Sequence, residues 1–102
     1  MPRMDKLSSY KTVWIDNDEG GLVIYQKTKV VEWDNNGNVT LNSDGWTTPT
    51  TKNKMNQASN QFCLRFGVVQ RKGEWFVTLD GCDDLPYYDN MTFNIYTARV
   101  AA

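Results

Sequence analysis

KTVWIDNDEGGLVIYQKTKVVEWDNNGNVTL, residues 11–41, is the stretch on which the reading of the fold turns. From Lys11 to Asp16 the side chains alternate, Val13 and Ile15 on one face and Thr12 and Trp14 on the other, as the two-residue period of a strand requires. Asn17-Asp18-Glu19-Gly20-Gly21 supplies turn residues, and Leu22 to Lys27 reads as a second strand folding back on the first. Val30 to Trp33 and Val39 to Leu41 form another pair around Asp34-Asn35-Asn36-Gly37, whose Asn-Gly step is the strongest local hairpin signal in the chain.

Working outward, the composition agrees with this reading. Val, Ile and Thr together number 22 against 10 for Ala and Leu, a bias toward β-branched side chains. The texture changes after Gly45. Thr47-Thr48-Pro49-Thr50-Thr51 offers capping hydroxyls and a proline suited to a first helical turn, which predicts one helix over about residues 49–62. Its apolar stripe is thin, Met55, Ala58 and Phe62, and Asn53, Asn56 and Asn60 are poor helix formers, so the helix must lean on the sheet. Leu64 to Val69 and Trp75 to Leu79 predict a third hairpin, turned at Arg71-Lys72-Gly73-Glu74, with Trp75, Val77 and Leu79 on a core face. A loop from Asp80 to Asn90 leads to a last strand over Thr92 to Thr97. The expected fold is α+β and β-rich: a small antiparallel sheet or partly open barrel of about 6–7 strands in one domain, residues 1–102, with 1–9 and 98–102 fraying.

At 102 residues a core is attainable without metal or disulfide staples. Cys63 and Cys82 have no metal-ligand spacing, and Cys63, between Phe62 and Leu64, reads as a small buried apolar residue. No apolar run approaches the length of a membrane span and no signal-peptide pattern follows Met1, so a soluble, intracellular protein with no membrane partner is expected. A net charge of −1 argues against a generally basic nucleic-acid binder.

The absence of histidine removes the commonest general base and metal ligand, and with it Ser-His-Asp and Cys-His chemistry. An enzyme would rely on carboxylates; Asp80, Asp83 and Asp84 are the nearest to a hard-cation or acid/base cluster, beside the plainer reading of a solvated loop. The reading assigns no catalytic residue, no metal site and no cofactor. Charge is unevenly spread: residues 46–73 carry Lys52, Lys54, Arg65, Arg71 and Lys72 with no acid, and residues 74–90 carry five acids with no base. With Trp46 and Trp75 flanking it, the basic segment is a candidate single-stranded nucleic-acid surface of cations and stacking aromatics, unless the acidic segment neutralises it. Thirteen aromatics exceed what one small core must hold, and Trp46, Tyr87 and Tyr88 fall in loops, where they either mark an interface or close the ends of the sheet. The candidate interaction surface is therefore Trp46, Lys52, Lys54, Arg65, Arg71, Lys72, Tyr87 and Tyr88.

From Leu41 to Gln57, around Gly45-Trp46-Thr47-Thr48-Pro49-Thr50-Thr51 and Met55-Asn56, and again at Gly73-Glu74-Trp75-Phe76-Val77, the chain resembles small uncharacterised proteins of tailed bacteriophages, cyanophages and marine environmental sequences among them. The resemblance runs from about Tyr10 to Thr97 and implies a phage origin, hence the cytoplasm of a host cell. It brings no catalytic or ligand residue. The expectation is a non-enzymatic accessory or interaction protein, partnered by itself as a homo-oligomer or by another protein. A small barrel binding single-stranded nucleic acid and a carboxylate- or metal-dependent enzyme are the alternatives.

Overall fold

The computed structural model describes residues 11–45, 47–79, 84–97 and, for the backbone, 99–100. Expectations that rested on Trp46, Asp80, Cys82, Asp83 and the first nine residues lie outside the described part.

Among the described residues seven strands have four or more residues: β1 Thr12–Asn17, β2 Gly20–Tyr25, β3 Thr28–Asp34, β4 Asn38–Leu41, β5 Phe66–Arg71, β6 Glu74–Leu79 and β8 Met91–Asn94. Two more, β7 Leu85–Pro86 and β9 Arg99–Val100, have two residues each, and one helix, α1, spans Pro49–Phe62. The strands form a six-stranded antiparallel sheet ordered β1-β2-β3-β4-β8-β9 and a three-stranded one ordered β5-β6-β7; neither closes into a barrel. The β-rich antiparallel fold with a single helix at 49–62 is as the sequence predicts.

Local chemistry accounts for the elements. Thr48 caps α1, its Oγ1 accepting from the Thr51 N–H at 3.3 Å, and Pro49 opens the first turn, where its missing N–H costs nothing. The helix ends at Cys63 in the left-handed region (φ 56°), with its N–H returned to Ser59. That makes Cys63 exposed, a correction to its expected burial: it sits at the cap, not on the apolar stripe. In β3–β4 the Asp34 carboxylate accepts from the N–H groups of Asn36 and Asn38 and from Asn38 Nδ2, which closes the hairpin.

The expected second strand stops two residues early. Gln26 and Lys27 both take positive φ (49° and 72°) and form a two-residue turn into β3 without glycine or asparagine. Left-handed backbone costs a non-glycine residue roughly 1–2 kcal/mol. Lys27→Gly should therefore raise stability by about 1 kcal/mol, a gain of ~4–8 °C in melting temperature for a domain of this size. Thermal melts by circular dichroism measure it, and an unchanged or lower midpoint would mean that Lys27 makes up the strain elsewhere.

The last strand also departs from expectation, running Met91–Asn94 instead of Thr92 to Thr97. Asn94 Oδ1 accepts from the N–H groups of Tyr96 and Thr97, turning the chain away from the ladder. Arg99–Val100, expected to fray, pairs with β8 as β9.

The core lies between the sheets. Val23, Val31, Val39, Leu41, Met91 and Phe93 line the inner face of the larger sheet, and Phe66, Val68, Trp75, Val77 and Leu79 that of the smaller. Met55 and Ala58 of α1 fill the gap and are fully buried. Edge-on contact of Phe66 with Phe93 (5.6 Å between centroids) joins the sheets, and Phe62 stacked on Trp33 (4.7 Å) joins the helix to β3. Trp33 lies across Gly21, where a Cβ would strike its ring. A bulge in β3 leaves Val30 without a partner in β2, so Val30 and Val31 are both buried although adjacent.

Candidate interaction surface

Two strands that pair in register place their side chains in cross-strand pairs, so the two faces of the larger sheet can be followed strand by strand. On the face turned from the core, Thr40 of β4 meets Thr92 of β8 (Oγ1 to Oγ1, 2.8 Å) and Asn38 meets Asn94 (2.9 Å). This is the polar outer face that a half-buried antiparallel sheet normally shows water. On β3 the same face carries the Lys29–Glu32 ion pair at 3.6 Å. On β1 and β2 it changes character: Val13 pairs with Ile24 and Ile15 with Leu22. Val13 is 63% and Ile15 57% exposed, and Leu22 and Ile24 are half-buried. Trp14, on the inner face of the same strand, is still 36% exposed.

The hairpin thus has aliphatic side chains on both faces, the pattern of strands covered on both sides, while the described fold covers one. The sequence held this signal. Val13 and Ile15 alternate with Trp14, so neither face of the strand is polar, and the candidate list nevertheless left all three out.

Among the described residues the same hairpin forms an open edge. A sheet edge invites pairing unless it is short, charged, bulged or covered. β7 and β9 are two residues long. β5 is covered by α1: Asn56 Nδ2 donates to the Val68 C=O (3.0 Å) and its Oδ1 accepts from the Val68 N–H (2.8 Å). One turn on, Ser59 Oγ does the same for Phe66 (2.6 and 3.1 Å). β1 has six residues and, on its side away from β2, no strand beside it among the described residues.

The residues singled out in the sequence are dispersed. Lys54 is buried, 4% exposed, with its Nζ 5.4 Å above the Tyr25 ring; burial holds its ammonium below the usual lysine range. Lys52 is half-buried on the same helix, and Arg65 is exposed where the helix leads into β5. Arg71 pairs with Asp84 and lies 5.7 Å over Phe76, so at this turn the basic and acidic segments meet. Lys72 is exposed at the turn between β5 and β6. Tyr87 is half-buried against Trp75 (5.2 Å), beside a shallow cleft of about 310 Å³ that also involves Phe76, Glu74 and Pro86. Tyr88 is 53% exposed. Trp46, Asp80 and Asp83 lie outside the described residues, and among those described no three acidic, cysteine or histidine side chains gather as a metal site would need.

A second cavity, about 260 Å³, opens between the β2–β3 turn and the start of α1, lined by hydroxyls of Thr28, Ser43, Thr48 and Thr51 and by Tyr25. Thr48 and Thr51 bond each other there (3.1 Å) and Ser43 bonds Asp89, so these three hydroxyls are engaged in holding the fold. No helix among the described residues is long and apolar enough to cross a membrane.

No curated protein and no solved structure matches the chain. A family model described as Kyanoviridae Gp96 protein matches residues 3–94, which takes in the β1–β2 hairpin, the helix and every strand given above except β9. The chain belongs to this family of cyanophage proteins.

Proposed function

We propose that the protein is a non-enzymatic accessory protein of the phage that works by binding protein surfaces through its β1–β2 hairpin. The observation that carries this reading is the exposure of Val13 and Ile15 on an open edge strand, in a sheet whose neighbouring outer surface is polar. Keeping such side chains in water is unfavourable by about 25 cal/mol for every Å² that a partner would cover, so the hairpin gains from being covered. The lack of histidine supports a binding role over a catalytic one.

The nucleic-acid reading needs its cations together on one open face. With Lys54 buried and Arg71 paired to Asp84, the observations favour the hairpin instead.

The test is retention. The immobilised chain, challenged with extract from cyanophage-infected cells and with itself, should hold a defined protein, and a Val13→Asp/Ile15→Asp chain should lose at least 10-fold of it, about 1.4 kcal/mol or more. Both side chains are exposed, so the variant keeps its circular dichroism spectrum and melting point. Equal retention by the two chains would overturn the reading.

A further inference from the structure

We infer that the occupant of the β1 edge is a second copy of this chain, paired antiparallel across a two-fold axis at Trp14; this rests on the hairpin being the contact surface. Three features lead there. First, the strand phase suits it. Asp18 and Glu19 form the two-residue turn of the hairpin, so Asn17 and Gly20 are its closing hydrogen-bonded pair. Counting back, Ile15 and Val13 bond inward to β2, while Trp14 and Asp16 aim N–H and C=O at the open edge. Residues with outward groups must meet each other, and setting Trp14 opposite its own copy satisfies both strands over their greatest overlap.

Second, the two-fold axis keeps the faces matched. With Trp14 opposite Trp14, Val13 of one copy lies opposite Ile15 of the other, so aliphatic meets aliphatic on the outer face and ring meets ring on the inner. A shift of one residue would set Val13 against Trp14 and mix the faces.

Third, the charges choose the direction. The turn end of the hairpin carries Asp16, Asp18 and Glu19, and the opposite end carries the exposed Lys27, where the Gln26 N–H bonds the Lys11 C=O (3.0 Å) and closes the pair. Antiparallel pairing sets the acidic end of each copy against the basic end of the other; a parallel pair would stack acid on acid. The result is a continuous sheet through both chains, reached by isologous contact of one patch with itself.

The experiment uses the full chain. Multi-angle light scattering across the micromolar range should give twice the mass of one chain, and Ile15→Lys, which places a charge at the seam, should return the mass of one chain with an unchanged circular dichroism spectrum. In a Cys63→Ser/Cys82→Ser background, single cysteines are then placed at positions 13, 14 and 15 in turn. Mild oxidation should crosslink Trp14→Cys at least 10-fold faster than Val13→Cys or Ile15→Cys, because only residues on the axis face their own copy at a Cα separation of ~5.5 Å. A monomeric chain at every concentration would overturn the inference, as would a dimer indifferent to Ile15→Lys or crosslinked best at another position. A monomer that still retains another protein through the hairpin would overturn this inference and leave the proposed function standing.

Discussion

Replacing Asn56 by leucine should lower the melting temperature by about 10–20 °C, although leucine is the better helix former. The two effects have opposite signs and unequal sizes. Asn→Leu in a helix gains roughly 0.5 kcal/mol of intrinsic propensity. Against that, Asn56 supplies both partners of Val68 on the side of β5 away from β6, one N–H and one C=O, at 2.8 and 3.0 Å. Each backbone group left unpaired in a part-buried site costs ~1–3 kcal/mol, so the loss is about 2–5 kcal/mol and decides the outcome. Ser59→Ala should act in the same direction, because Phe66 depends on Ser59 Oγ for the same two bonds in a buried setting. Thermal and urea melts of the two variants measure the effect. A rise in stability for Asn56→Leu would show that water satisfies the β5 edge and that the helix is a lid, not a partner, of the smaller sheet.

This pairing also shows why the sequence was readable only in part. Thr48-Pro49, Asn36-Gly37 and the alternation of Trp75, Val77 and Leu79 act over a few residues, so the cap, the turn and the core face could be named from the chain. Asn56 looked like a fault in a weak helix because its purpose lies twelve residues away, on a backbone that no local pattern identifies. The pairing of β4 with β8 is of the same kind: Val39 meets Phe93 across a gap that holds a helix and a whole second sheet. At the β2–β3 turn the failure differed. Gln26 and Lys27 adopt a backbone that glycine or asparagine normally signals, so the turn carried no mark.

The candidate surface was legible in its chemistry and not in its place. Counting charge along the chain isolated the basic segment, yet a helix turns its side chains through 100° per residue, so two residues apart is enough to send Lys54 inward and leave Lys52 half-exposed. Conversely, a strand of aliphatic residues reads as core until its neighbours are known. Val13 and Ile15 lie in the edge strand, and their outer face has no layer above it among the described residues.

Removing the Asp89 carboxylate should destabilise the protein by about 1–2 kcal/mol, since Asp89 is exposed and water screens part of what its bonds supply, with the loss written into its pH dependence. Asp89 ties two loops together. Its Oδ1 accepts from the Ser43 N–H (3.0 Å), Ser43 Oγ (2.6 Å) and the Tyr87 hydroxyl (2.7 Å), and its Oδ2 from the Gly45 N–H (3.0 Å). Burial works against the charge, and the bonds from Ser43, Tyr87 and Gly45 outweigh it, holding the carboxyl below its usual range. The group is thus more acidic folded than unfolded. Its contribution is complete above the unfolded pKa and is lost as pH falls through the folded one, so acid should begin to weaken the protein below about pH 5.

Asp34 is lowered for a like reason, with hydrogen bonds from Asn38 and Asn36 prevailing over desolvation, and adds to the same acid limb. Tyr87 works at the other end: burial and its bond to Asp89 raise its hydroxyl well above the ordinary tyrosine range. Its contribution is complete below the unfolded pKa near ~10 and fades as pH climbs toward the folded one, when a phenolate would face a carboxylate. Asp89→Asn should therefore lower stability at pH 7 and flatten the acid limb, since an amide keeps one acceptor oxygen and no charge to lose. Tyr87→Phe should flatten the alkaline limb and, by taking one of its bonds from Asp89, reduce the acid limb only in part. Urea melts between acid and alkaline pH distinguish the two. An Asp89→Asn chain that loses stability by the same amount at every pH would mean that the loops are held by packing, with the carboxylate only resting on them.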